Sequence, residues 1–312
     1  MILNRLSNCS TIVLAGLIYA VLPFEGAAPA EDFNLEAAKN AAEKGDPKAQ
    51  YDLAQRYAKG KDVEKNLAKA VEYMLKAADK GYAYAQTDLG SYYAKGWGAK
   101  RDLDESLNWY RKAAGQGDAL GQYWLGFCYV KGIGVAANLD EGIKWWRKAA
   151  ESGQVEAQNA LGQVFMNRGP TFDTNYINYA ESTRWLRKAS EQGYISSMNN
   201  LGVLYQMGWG VEKNLEEAVK WYRTAAEQGE PKAQANLGLM YQDGAGINKD
   251  LVQAYKWFIL SAEQGDVVGK HYFTDYNLHH RVTTNELDEA QRMAREFRVQ
   301  LGENKFANAS GH

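Results

Sequence analysis

His271, Asp275 and His279 stand at i, i+4 and i+8, with His280 adjacent, and on one unbroken helical face they could hold a divalent ion. Asn277 can end such a helix before His279, so the reading adopted is a capping helix with no metal. Gly132-Ile133-Gly134-Val135-Ala136-Ala137 formally fits G-x-G-x-x-A. That fingerprint works where a strand delivers a pyrophosphate to a helix N-terminus, whereas here it follows a helical pattern inside a loop, so no dinucleotide or other cofactor is expected. Ser-x-x-Lys, Gly-x-Ser-x-Gly, His-Glu-x-x-His and Lys-Thr-Gly do not occur, and no histidine precedes residue 271, so an ordinary serine, cysteine or zinc hydrolase lacks its parts. Cys128, between Phe127 and Tyr129, reads as a buried small hydrophobe rather than a reactive thiol. The chain is therefore expected not to be an enzyme.

With chemistry set aside, the bulk properties bound the partner. The 312 residues carry 36 Lys+Arg against 38 Asp+Glu, a formal net charge of −2, so no global field draws nucleic acid or an anionic membrane. Arg5 precedes an uncharged stretch, Thr11 to Leu22, closed by Pro23 and followed by Ala28-Pro29-Ala30. Twelve apolar residues are too few to span a bilayer. Together with the small-x-small site they predict a cleaved secretory signal over 1–30, a periplasmic or secreted product and no integral span after cleavage. Cys9 falls in that segment, leaving Cys128 without an internal disulfide partner.

Repetition organises the rest. Glycines at 45, 81, 117, 153, 193, 229 and 265 are separated by 36 residues, with one interval of 40, and such a period means a solenoid. Eight residues after the glycine stands a leucine (Leu53, Leu89, Leu125, Leu161, Leu201, Leu237), followed by Ala54 or a glycine, and four further on an aromatic (Tyr57, Tyr93, Tyr129, Phe165, Tyr205, Tyr241). A second helix opens near Asn66, Asp102, Asn138 and Asn214, residues that cap helix starts. Its buried stripe is expected at Tyr73, Trp109, Trp145, Trp185, Trp221 and Trp257, backed by alanines. Gly-x-Gly pairs between the helices supply the turn. The pattern predicts six hairpins over 45–264 (45–80, 81–116, 117–152, 153–192, 193–228, 229–264), a capping helix over 31–44, capping helices over 265–301 opened in part by the box Thr283-Thr284-Asn285-Glu286, and a disordered tail over 302–312. The fourth unit has four extra residues around Gly169–Asp173 and lacks the Gly-x-Gly pair, so its loop is expected to bulge.

Ala85-Gln86-x-x-Leu89-Gly90-x-x-Tyr93 and Ala218-x-x-Trp221-Tyr222-x-x-Ala225-Ala226 resemble the units of the Sel-one-like repeat (SLR) family, relatives of the tetratricopeptide repeat. The resemblance implies an all-α right-handed superhelical solenoid of six helix-turn-helix repeats and a non-catalytic scaffold or adaptor role as a monomer. It also implies that positions three, six, ten and thirteen after each repeat glycine point into a concave groove. Those include Tyr51, Tyr84, Thr87, Leu120, Tyr123, Phe127, Asn159, Gln163, Met166, Asn199, Val203, Gln206 and Leu239, a set suited to an extended peptide or protein ligand. The alternatives are an envelope protein that binds peptidoglycan or another glycan, and a weak β-lactam hydrolase.

Overall fold

A computed structural model describes residues 34–166, 174–274 and 282–310. The expected signal segment, the inserted loop of the fourth unit, and Asp275, His279 and His280 lie outside the described residues. Fifteen α-helices and no strands are found among those described, wound as a right-handed solenoid. A short helix, α1 (Leu35–Glu43), comes first. Then follow six antiparallel pairs of an A and a B helix: α2 (Pro47–Lys59) with α3 (Leu67–Asp79), α4 (Ala83–Lys95) with α5 (Leu103–Gly115), α6 (Ala119–Lys131) with α7 (Leu139–Glu151), α8 (Val155–Phe165) with α9 (Tyr179–Glu191), α10 (Ile195–Met207) with α11 (Leu215–Glu227), and α12 (Pro231–Asp243) with α13 (Leu251–Glu263). Helices α14 (Val267–Thr274) and α15 (Thr284–Ser310) close the far end, the last continuing past the expected stop at Leu301.

Every B helix begins on a side-chain cap, because Asn66, Asp102, Asn138, Asn178, Asn214 and Asp250 each accept from an N–H two or three residues ahead. The same residue's own N–H reaches back to the carbonyl of the repeat aromatic, as in Asn66 to Tyr57 at 2.8 Å and Asp102 to Tyr93 at 3.0 Å. In the fourth unit Asn178 still closes on Phe165 at 2.9 Å, so the four extra residues leave the hairpin's frame unchanged.

In every hairpin the residue one later than the expected stripe is buried, whereas the stripe residue itself is buried in only three of the six. Tyr73, Trp145 and Trp221 are half-buried, whereas Met74, Tyr110, Trp146, Leu186, Tyr222 and Phe258 are buried throughout. The cause is on the partner helix: a Cβ built on Gly90, Gly126, Gly202 or Gly238 would stand 2.5–2.6 Å from Tyr110, Trp146, Tyr222 or Phe258. The glycine after the leucine is thus a slot for the ring, and the ring's phase follows the slot. Among the tryptophans, Trp109, Trp185 and Trp257 are buried as expected.

The second glycine of each Gly-x-Gly pair stacks units. Gly98, Gly134, Gly210 and Gly246 press against the backbone that opens the preceding B helix, at Leu67, Leu103, Tyr179 and Leu215, leaving no room for a side chain. The first unit carries Asp62 there, at φ 61°, and the B helix before it, α1, has nine residues against thirteen in the full ones. At the other end Tyr272 of α14 stacks on Phe258 at 5.2 Å, and α15 lays Ala290, Ala294 and Phe297 over α13, with Phe297 edge-on to Trp257 at 5.2 Å. Its start is a reciprocal capping box: the Thr283 N–H donates to Glu286 at 2.7 Å and the Glu286 N–H donates to Thr283 at 3.3 Å.

Candidate functional site

The A helices of successive units touch one another, α4 with α6, α8 with α10 and α12 with α14, which puts them on the short-radius, inner side of the superhelix. Their mutual contacts obey a register. The sixth position of one unit bonds to the seventh of the next, as Tyr51 Oη donates to Asp88 Oδ2 at 2.9 Å and Asn236 Nδ2 donates to Asn199 Oδ1 at 2.8 Å. Thr87 donates to Asp118 at 2.7 Å, and Ser197 to Asn159 at 2.9 Å.

These bonds divide the thirteen residues assigned to the groove. Thr87, Asn159, Met166, Asn199 and Val203 are buried between helices, and three of them are tied by the bonds just described. Tyr51, Leu120, Tyr123, Phe127, Gln163, Gln206 and Leu239 are half-buried. Tyr123 packs edge-on to Trp124 at 5.2 Å and accepts the Trp146 indole N–H on its carbonyl at 3.0 Å, while Gln206 accepts from Tyr222 Oη at 2.7 Å. Tyr84 is open, 59% exposed.

Around Tyr84 the first two units form an aromatic cluster. Its ring lies 6.4 Å from Tyr51 and 5.7 Å from Tyr82, and Tyr51 and Tyr82 are 5.2 Å apart. Behind them Asp88 accepts from Tyr51 and from the Gln55 amide on the same oxygen, Oδ2. Burial pushes the Asp88 carboxyl above the usual aspartate range, and the same burial, with Asp88 beside it, pushes the Tyr51 phenol up. A second grouping lies further along, where burial and the nearby Tyr194 and Glu156 raise the Tyr123 phenol. Tyr82, Asp88 and Trp124 were outside the assigned phases. Asp88 and Trp124 are at the seventh position, one past the expected sixth, and the recurrence of polar or aromatic residues there (Asp52, Asp88, Trp124, Asn200, Asn236) is the signal that could have found them.

Cys128 is 3% exposed, its thiol pushed up to about 12 by burial, so it is the inert hydrophobe the sequence suggested. No group of three metal-ligating side chains occurs among the described residues, and no described helix is long and apolar enough to cross a membrane.

Six stacked hairpins with a lined inner face define a helical-repeat solenoid of the interaction type. The chain belongs to the Sel1 repeat family, which it matches over 47–82, 83–118, 119–154, 155–194, 195–230 and 231–266, each repeat taken from its A helix. Sel1 repeats are protein-interaction modules, typically non-catalytic. Among solved structures the chain is similar to c5321, described as a protective antigen present in uropathogenic Escherichia coli strains displaying an SLR fold, with 34% identity, a TM-score of 0.74 and 86% of this chain covered. The match spans 57% of c5321's length. It is also similar to a Sel1 repeat protein from Oxalobacter formigenes, with 28% identity, a TM-score of 0.67, and 80% of this chain and 96% of that one covered. A search of curated proteins returned no match.

Proposed function

We propose that the chain is a non-catalytic adaptor, exported to a periplasm or beyond, that holds a protein or peptide on the inner face of its superhelix. The observation that carries this reading is Tyr84, a ring 59% exposed on the A-helix face and backed by two further tyrosines, where the repeat's own packing is already supplied by Leu89 and Tyr110. Large rings that ordering does not cost much and that packing does not consume are the side chains that anchor partners. Export is supported by the composition of residues 11–30, and action as a monomer by the cover that α14 and α15 give the last stacking face.

A photo-crosslinking residue placed at position 84, and separately at Lys144 on the exposed side of α7, tests the face in an envelope extract. Protein adducts are expected at position 84 and not at 144. Tyr84→Ala should weaken the recovered partner by roughly 1–2 kcal/mol while cooperative unfolding stays intact, and Lys144→Glu should leave it unchanged. Tyr123 is unsuited to the test because its ring is packed against Trp124 and Trp146. Adducts confined to position 144 would move recognition to the outer surface, and glycan adducts at 84 would replace a protein ligand by a glycan.

A further inference from the structure

We infer that the first two units carry a site for a cationic side chain, so that the segment bound on the inner face presents an arginine or lysine to Tyr84 and Asp88. This rests on the inner-face reading above and gives its ligand a chemistry.

The argument starts from a charge that folding does not need. Asp88 and Asn236 occupy the same seventh position and tie their helix to the sixth position of the preceding unit, Tyr51 in one case and Asn199 in the other. At Asn236 the tie is made by a neutral amide. There the amide donates, but an asparagine at 88 could accept the Tyr51 hydroxyl on its Oδ1, so the tie itself does not require a negative charge, which adds a desolvation cost. Nor is it neutralised within the chain: among the described residues no lysine or arginine forms an ion pair with Asp88, and both of its donors, Tyr51 and Gln55, are uncharged and converge on Oδ2, leaving Oδ1 without a protein hydrogen bond. Lys59 and Lys95 act on Asp88 only at longer range, and Arg56 is paired with Asp62. A half-buried carboxylate with one oxygen unclaimed is a place where an incoming cation is worth more than at an open surface.

The tyrosines complete the recognition. Tyr51, Tyr82 and Tyr84 meet at interplanar angles of 48°, 32° and 58°, so no pair stacks flat, and Tyr84 is the most open of the three. Aromatic faces attract guanidinium and ammonium groups, and a carboxylate behind them fixes the charge's position. Asp46 and Asp52 add negative charge beside Tyr82. Elsewhere on the inner face the seventh position holds Trp124, Ala160, Asn200 and Asn236, so the cationic site belongs to the amino-terminal units alone.

The probe is a dye-labelled Gly/Ser nonapeptide with two arginines, compared with the same peptide carrying citrulline, which keeps arginine's shape without its charge. Binding to the full chain is read by fluorescence anisotropy and by NMR of carbon-13-labelled tyrosine rings, the Tyr84 signal being assigned by its loss in Tyr84→Ala. The arginine peptide should bind roughly three- to thirtyfold more tightly than the citrulline peptide and shift the Tyr84 signal. Asp88→Asn, with its unfolding still cooperative, should bring the arginine peptide down to the citrulline level. Equal binding of the two peptides with the Tyr84 signal moving for both would overturn the cationic site and leave the inner-face reading standing. An arginine preference that survives both Asp88→Asn and Tyr84→Ala would overturn it as well, by locating the charge readout elsewhere. If neither peptide moves the tyrosine signals the cationic site also falls, and the crosslinks at position 84 judge the inner face separately.

Discussion

Asp88 is half-buried in a chain that could have used asparagine at the same place, as it does at 236, and the consequence is measurable in the free protein. Burial holds its carboxyl above the ordinary aspartate range. The native state therefore keeps its proton at pH values where the unfolded chain has already lost one, and stability from this group is present in acid and lost as pH rises from the ordinary aspartate range through the raised native value. Asp88→Asn removes that loss. The variant should melt higher than the parent at neutral pH, with the gap closing as pH falls toward about 4, in thermal scans across the range. A gap independent of pH would show that the charge is not what costs stability at this position. The residue scale is also where the sequence was least legible. The phase that the family resemblance implies assigned Tyr84 to the inner face, whereas Asp88 and Trp124 stand one position past its sixth and Tyr82 two before its third. The role of Tyr82 and Asp88 depends on Tyr51, which the neighbouring unit brings to them, and a phase copied from one helix contains no such information.

At the scale of the element, the hairpins were legible because their signals are local. Asparagine and aspartate mark the B-helix starts by accepting an N–H within three residues, and glycine marks the turns by its positive φ. The expected stripe holds at Trp109, Trp185 and Trp257 and fails at Tyr73, Trp145 and Trp221, where the residue that follows is the buried one; in the third and fifth units its ring fills the glycine slot on the partner helix. A further element-level device was visible only as the Gln of Ala-Gln-x-x-Leu. Its buried amide donates to the last turn of the preceding B helix, Gln86 to Ala78 O at 2.9 Å and Gln158 to Ala150 O at 3.1 Å, and its carbonyl accepts from a glutamine just past the unit's own B helix, Gln116 at 2.6 Å and Gln192 at 2.7 Å. The third unit has Ser152 at that closing position, and the buried Oε1 of Gln122 has no hydrogen-bond partner there. Ser152→Gln should supply it, adding about 1 kcal/mol and roughly 2–4 °C to the melting temperature. The same substitution paired with Gln122→Ala should add nothing, and a gain that persists in the pair would mean that the new glutamine acts through helix propensity instead.

For the whole molecule, stability is distributed along one axis, each hairpin leaning on its two neighbours. The buried core of the carboxyl-terminal half runs from Leu186 through Tyr222 and Phe258 to Ala294, so α15 closes the same apolar body that the fourth unit opens. Tyr222 lies at its centre, fully buried over Gly202, and its Oη donates to Gln206. Tyr222→Ala should cost about 3–5 kcal/mol, whereas Trp221→Ala, at a half-buried ring, should cost roughly 1–2 kcal/mol, the reverse of what ring size alone suggests. Hydrogen exchange gives the decisive pattern. In Tyr222→Ala, protection should fall first in α10 and α11, then in α9 and α12 that flank them, while α2 to α5 keep most of theirs, because coupling passes only through successive interfaces. Since the tyrosine cluster and Asp88 belong to those first units, a peptide bound there should remain bound while the fifth unit is open. Equal loss of protection from α2 to α13 would mean that the chain unfolds as one cooperative block, and a binding face confined to two units could then not be separated energetically from the rest of the solenoid.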